Sequence, residues 1–300
     1  MKYTRIIHLV QSTPWAITAD KLAAILDVLR YHADGGTFTA EEVRERIGAA
    51  VAPAEQRAEA VAVLPLYGVI AQRADLMTES SGGTSVERFT ARFRELVADP
   101  NVGAIVLDVD SPGGTVSGVD ELAAEIYRAR GSKPIVAVAN SLAASAAYWI
   151  ASAADELVVT PSGEVGSIGV LTAHEDMSAM LETEGVRVSL ISAGKYKTEG
   201  NPYEPLSDEA RAALQVRVDG YYDMFVKAVA RNRGVSARDV REGYGEGRVV
   251  GAVQAKALGM ADRVATLDET LARLVKSRRR PGARAEELDY RRRRLRAASR

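Results

Sequence analysis

The sequence predicts an α/β protein with a mostly parallel sheet of repeated βαβ units, flanked by helices. Three observations carry that prediction. Residues 104–107 and 135–139 are short, β-branched apolar runs, the pattern of strands buried on both faces. Residues 85–98 and 119–130 carry apolar residues at helical spacing and stand before and between those runs. Glycine-rich loops follow the strands, where open parallel sheets carry their chemistry.

Taken in order, residues 17–47 read as helical. Leu22, Ile25, Leu26 and Leu29 form an apolar stripe, Gly35-Gly36 ends it, and a second short helix starts near Thr39, where T-A-E-E resembles a capping box. So small a unit needs a partner surface to cover its stripe, and residues 49–60 read as a linker. Residues 1–55 are therefore assigned to an N-terminal helical unit with linker, 56–275 to the main body and 276–300 to a tail. The body opens with a strand over 61–70, a Ser/Gly loop at 80–84 and the helix 85–98. The strand 104–107, the loop Asp110-Ser111-Pro112-Gly113-Gly114, the helix 119–130 and the strand 135–139 come next. Asn140 then opens an alanine-rich helix to Ser152, with Ser145 near its start. A short strand at 156–160, a helix near 175–184 and a strand at 186–191 follow. Ser207-Asp208 and Gly234 bound a long helix, and a small one lies near 236–242.

Composition narrows the classes. Hydrophobic residues make up 47% and charged residues 26% of 300, as in ordinary globular proteins. The absence of cysteine excludes disulfides and thiolate metal sites. No apolar run reaches the ~18–20 residues that span a bilayer, and the N-terminal apolar stretch is too short for a signal peptide. A protein of the cell interior is expected. The formal net charge of −1 conceals eleven Lys/Arg against three acids after residue 275, so an acidic body carries a basic tail.

Four segments could carry chemistry, each with a plainer alternative. Gly113-Gly114 after a strand exposes backbone N–H groups as an oxyanion hole requires, or is a Pro-Gly turn. Ser145, flanked by Ala143, Ala144, Ala146 and Ala147, is a nucleophile open to another backbone, or an incidental serine in a packed helix. Gly166-Ser167-Ile168-Gly169 suits the edge-on approach of a substrate strand, or is a bulge. Lys195 and Lys197 are solvated charges, or one of them is a general base to a serine. A Ser/His/Asp triad would need His8, His32 or His174. Only His174, with Asp176 or Asp208, is a credible alternative base. No HExxH, Cys/His cluster or metal-spaced acid cluster occurs, so neither a metal nor another cofactor is predicted.

Together, DSPGG, a serine in AASAAYWIAS, VGSIGV and AGKYKTEGNPY resemble the signal peptide peptidase A family of Ser/Lys proteases. The 52 residues from Ser145 to Lys197 and the match over roughly 61–265 support the resemblance. The run from Gly166 to about residue 219, notably Gly200-Asn201-Pro202-Tyr203, is most similar to the lambda-type phage head-maturation (prohead) branch. The resemblance implies the Clp protease/crotonase-like fold and a serine endopeptidase cutting scaffold, capsid or portal proteins. It implies Ser145 as nucleophile, Lys197 as base with Lys195 as substitute, and Gly113 or Gly114 with Ala146 as oxyanion donors. Ser167 would hold the lysine amine. Cellular members carry Ser-Gly-Gly where this chain has Ser145-Ala146-Ala147, which keeps the N–H and tightens the pocket. A ring-shaped homo-oligomer is implied, in the host cytoplasm or inside the procapsid. The alternatives are a signal-peptide-degrading protease, an idle scaffold-assembly partner and a crotonase-like acyl-CoA enzyme, which would not need Lys197. Nucleic acid is expected only at the basic tail, which could instead bind scaffold acids or stay solvated.

Overall fold

In the computed structural model, the described residues are 6–7, 10–11, 13–47, 55–58, 60–73 and 83–278. His8, loop residues 80–82, most of the linker and the tail beyond residue 278 lie outside them.

Strands alternate with helices as expected. β1 (Trp15–Ile17), α1 (Ala19–Ala33), α2 (Ala40–Ile47), β2 (Gln56–Ala58) and β3 (Val61–Tyr67) come first. β4 (Ile70–Ala71), β5 (Thr84–Ser85), α3 (Val86–Ala98), β6 (Ala104–Ser111), β7 (Gly113–Thr115) and α4 (Val119–Ala129) follow. Then come β8 (Ile135–Ala144), α5 (Ala146–Ser152), β9 (Glu156–Val159), β10 (Glu164–Gly166) and α6 (Ser178–Thr183). α7 (Asp208–Arg233), α8 (Ala237–Gly243), β11 (Val249–Gly251), α9 (Ala252–Ala257), β12 (Arg263–Val264) and α10 (Leu267–Arg278) complete the series.

The main sheet runs β11-β10-β8-β6-β3-β2, with β9 and β12 branching beside β8. Its centre, β3-β6-β8, is parallel, as are β8-β9 and β8-β10. Alternate residues of β3, β6 and β8 enter opposite cores, because successive side chains point to opposite faces. Leu64, Leu66, Ile105, Leu107 and Val109 join the large core beneath α3, α4, α5 and α7. Val61, Val63, Val106, Val136 and Val138 meet Leu274 and the apolar face of α10 on the other side. A second, four-stranded sheet runs β1-β7-β4-β5. Long α7 is bounded where its caps predict: Ser207 Oγ accepts from the Ala210 N–H, and Gly234 is left-handed at φ 68°.

Several local expectations change. Residues 140–144 are strand, not helix, because the end of β8 pairs in register with β10, Gly166 opposite Ala144. Gly113–Thr115 is a strand of the second sheet rather than a loop. Ile17 closes a strand rather than opening a helix, and residues 56–58, read as linker, pair antiparallel with β3. The expected strand at 186–191 does not form. An isolated alternating run has no ladder partner for its backbone, and here Ile191 is 98% exposed.

Candidate active site

Ser145 stands at the junction between β8 and α5, and the junction is strained. Its φ of 55° and ψ of −117° lie outside the helix, which begins one residue later at Ala146. Non-glycine residues held in such regions cost on the order of 1–3 kcal/mol and gather at functional sites. The surroundings hold the junction in place. The Ser145 N–H donates to the Gly166 carbonyl at 2.7 Å, and the Trp149 N–H donates to the Ser145 carbonyl at 2.9 Å. One turn on, the Trp149 indole stacks on Phe225 of α7 with ring centres 4.5 Å apart. The far end of α5 meets the Arg130 guanidinium, which donates to the carbonyls of Ser152 and Ala153 and to that of Asn232. Burial lowers the Arg130 pKa to about 10, which leaves the group charged at neutral pH.

The small residues now have a reason. Ala143, Ala144, Ala146 and Ala147 are fully buried, so the positions flanking Ser145 in the chain carry only methyl groups where the protein is closely packed. Gly113 is left-handed at φ 103°, and a Cβ there would lie 3.0 Å from Ser145 Cβ. At Gly114 a Cβ would lie 1.8 Å from the Ile70 carbonyl oxygen. Ser111, which the sequence reading passed over, ties this turn down: its hydroxyl donates to the Gly68 carbonyl at 2.6 Å and accepts the Gly113 N–H at 3.2 Å. The Ala146 N–H stands in the first turn of α5, where helical N–H groups lack intrahelical partners.

Among the described residues, the Ser145 hydroxyl reaches only the Gly169 carbonyl, at 3.4 Å, long for an O–H donor. The Gly166–Gly169 segment therefore does lie against the serine. Ser167 within it is left-handed at φ 51°, and its N–H donates to the Arg248 carbonyl.

Among the described residues, none of the candidate bases is hydrogen-bonded to Ser145. Lys197 is exposed, and among the described residues no hydrogen bond joins it to Ser145. Lys195 donates to the Tyr196 hydroxyl at 2.8 Å and to Glu209 at 3.0 Å. Those contacts raise its pKa, the opposite of what a base needs. His174 Nε2 meets the Asn201 carbonyl at 3.0 Å, and Asp176 is engaged by Ser178. Asp208 opens α7. No His174–Ser145 bond exists among the described residues. His174 instead lines a cleft of about 590 Å³ with Leu171, Leu206, Arg211 and Leu214.

Within β6, Asp108 is buried and accepts from the Tyr67 hydroxyl at 2.8 Å and from Asn140 at 3.1 Å. Desolvation raises its pKa, as it does that of Asp110, which Ser141 partly offsets.

An α/β protein with a strained serine between a parallel strand and a helix, facing a glycine turn, is the class that fold and site define. The sequence profile of peptidase family S49 matches residues 128–279, just over half of the chain, and the chain belongs to that family. Capsid assembly protease C of Escherichia phage lambda is 39% identical over 204 residues, covering 68% of this chain and 46% of that protein. Head-tail preconnector protein GP5 of Enterobacteria phage P21 is 39% identical over 176 residues, 59% of this chain and 35% of that one. A putative signal peptide peptidase SppA of Enterococcus faecium is 29% identical over 217 residues, 72% of this chain and 63% of the other. The chain thus spans less than half the length of the two phage proteins. Among solved structures, a ClpP1 mutant from Listeria monocytogenes aligns at TM-score 0.43 and 14% identity, over 70% of this chain and 94% of that one.

Proposed function

We propose that the protein is a serine endopeptidase with a Ser145/Lys197 dyad, which cleaves scaffold and capsid proteins as a phage head matures. The observation that carries this reading is Ser145 itself, held at positive φ against Gly113 at the junction between β8 and α5. The phage reading is preferred to signal-peptide degradation because the phage relatives share 39% of matched residues against 29%.

In this reading, Ser145 Oγ attacks the peptide carbonyl carbon while Lys197 Nζ, as neutral amine, takes the hydroxyl proton. The developing oxyanion accepts from the N–H of Gly113 or Gly114 and from that of Ala146. The lysine then gives its proton to the leaving amine, and water, deprotonated by the same lysine, hydrolyses the acyl-enzyme. Ser167 would accept a hydrogen bond from the lysine. Losing the base or an oxyanion donor costs on the order of a hundredfold or more in rate. Lys197, exposed in the single chain, suits a dyad closed by a neighbouring copy in a ring. Such a ring would work in the host cytoplasm or inside the procapsid.

The test assays Ser145→Ala, Lys197→Ala and His174→Ala on a scaffold or capsid substrate. The reading expects the first two to be dead and the third active. Activity in Ser145→Ala, or an active Lys197→Ala beside a dead His174→Ala, would overturn it.

A further inference from the structure

Residues 14–18 lie as an extended strand in a slot beside Ser145. On one side, β1 pairs antiparallel with β7, with Ile17 opposite Gly113, Ala16 opposite Gly114 and Trp15 opposite Thr115. The Thr18 N–H donates to the Pro112 carbonyl at 3.1 Å and the Val116 N–H to that of Pro14 at 3.4 Å. Hydrogen-bonded pairs alternate along an antiparallel ladder, so Ala16 and Gly114 form the bonded pair between those two. On the other side, Trp15 and Leu171, just beyond Gly169, exchange N–H to carbonyl bonds of 2.8 and 2.9 Å. The hydrogen bonds along both edges of the segment are backbone to backbone, as in an added peptide strand.

Its place along the slot matters. The point where a Gly113 Cβ would stand is 2.2 Å from the Ala16 carbonyl oxygen and 3.0 Å from Ser145 Cβ. The Ala16 oxygen is therefore no more than about 5.2 Å from the nucleophile's Cβ, and it faces the N–H of a candidate oxyanion donor. Ala16 is fully buried and joins the apolar cluster of Ala143, Ala146, Ala147 and Ile168. Trp15 and Ile17 point the other way, into the cluster formed by α1 and Val69. Only a small side chain fits at the inward position.

We propose that residues 14–18 are a resident ligand of the protease's own peptide slot, which an incoming extended peptide with a small residue at the Ala16 position must displace. This rests on the nucleophile assigned above.

The full chain tests it by the rate at which a fluorophosphonate labels Ser145. Ala16→Arg places a long charged side chain in a fully buried site, and Ala16→Pro removes the N–H that the Gly114 carbonyl accepts. Either change should expel the strand and speed labelling about tenfold, as expected if the slot is nine-tenths occupied. A peptide of residues 11–20 added in trans should slow labelling again. The same peptide carrying the Ala16→Arg change should not. Hydrogen exchange at the Val116 and Leu171 amides needs no activity: it should rise in both variants and fall with the first peptide. Folded variants that label at the parental rate, or whose two amides stay protected, would overturn the proposal. If Ser145 is never labelled, the nucleophile assignment fails, and amide exchange still decides whether the strand occupies a peptide slot.

Discussion

The Cβ that Gly113 lacks would stand 3.0 Å from the Cβ of Ser145, and 2.2 Å from the carbonyl oxygen of Ala16. A methyl group cannot be placed there without moving backbone, and the φ of 103° disfavours any side chain. Gly113→Ala should therefore cut peptidase activity by about a hundredfold, the scale of a displaced oxyanion donor. It should also lower the melting temperature. A variant with full activity would show that the turn does not shape the site.

The strain at Ser145 predicts opposite responses of activity and stability. Ser145→Ala keeps the Cβ at φ 55° and should melt like the parent. Ser145→Gly relieves the clash and should stabilise the chain by about 1 kcal/mol, once the greater freedom of unfolded glycine is subtracted. Both should be inactive. Denaturant midpoints separate the two cases, and equal midpoints would remove the argument from strain.

Burial raises the Asp108 carboxyl above its ordinary value of 3.8. Between that value and the raised one, the folded state binds more protons than the unfolded state, so this group makes stability fall as pH rises. Asp108→Asn removes the buried charge. The stability difference, variant minus parent, should be greatest near neutral pH and shrink as the pH falls towards 4. A difference that grows on acidification would contradict the direction of the shift.

Much of this architecture is legible in the sequence where one residue has one physical use. Ser207 and Gly234 bound α7 because a side-chain acceptor and a left-handed residue suit those positions. The β-branched runs of β6 and β8 are strands because both faces are buried. The small neighbours of Ser145 mark it as a candidate nucleophile in the sequence, but the same alanines read as helix where residues 140–144 are strand. Alanine suits strand and helix alike in a close-packed place, and the pairing of residues 142–144 with β10 is a long-range fact. The run at 186–191 alternates like a strand yet finds no partner within the described chain. β1 is only three residues long, too short for periodicity, although Trp15 and Ile17 flanking a small Ala16 hold its β-forming pattern. Ser111 gave no signal, because its role depends on where Gly68 and Gly113 come to lie.

We propose that Ser145 is the nucleophile and that Lys197, exposed and, among the described residues, not hydrogen-bonded to it, completes the site from a neighbouring copy. Mixing purified Ser145→Ala with Lys197→Ala tests it directly, each dead alone on a scaffold or capsid substrate. Mixed rings then hold some sites with both an intact serine and an intact lysine, so cleavage should return. No cleavage at any ratio, with mixed assembly verified, would contradict a dyad built across copies.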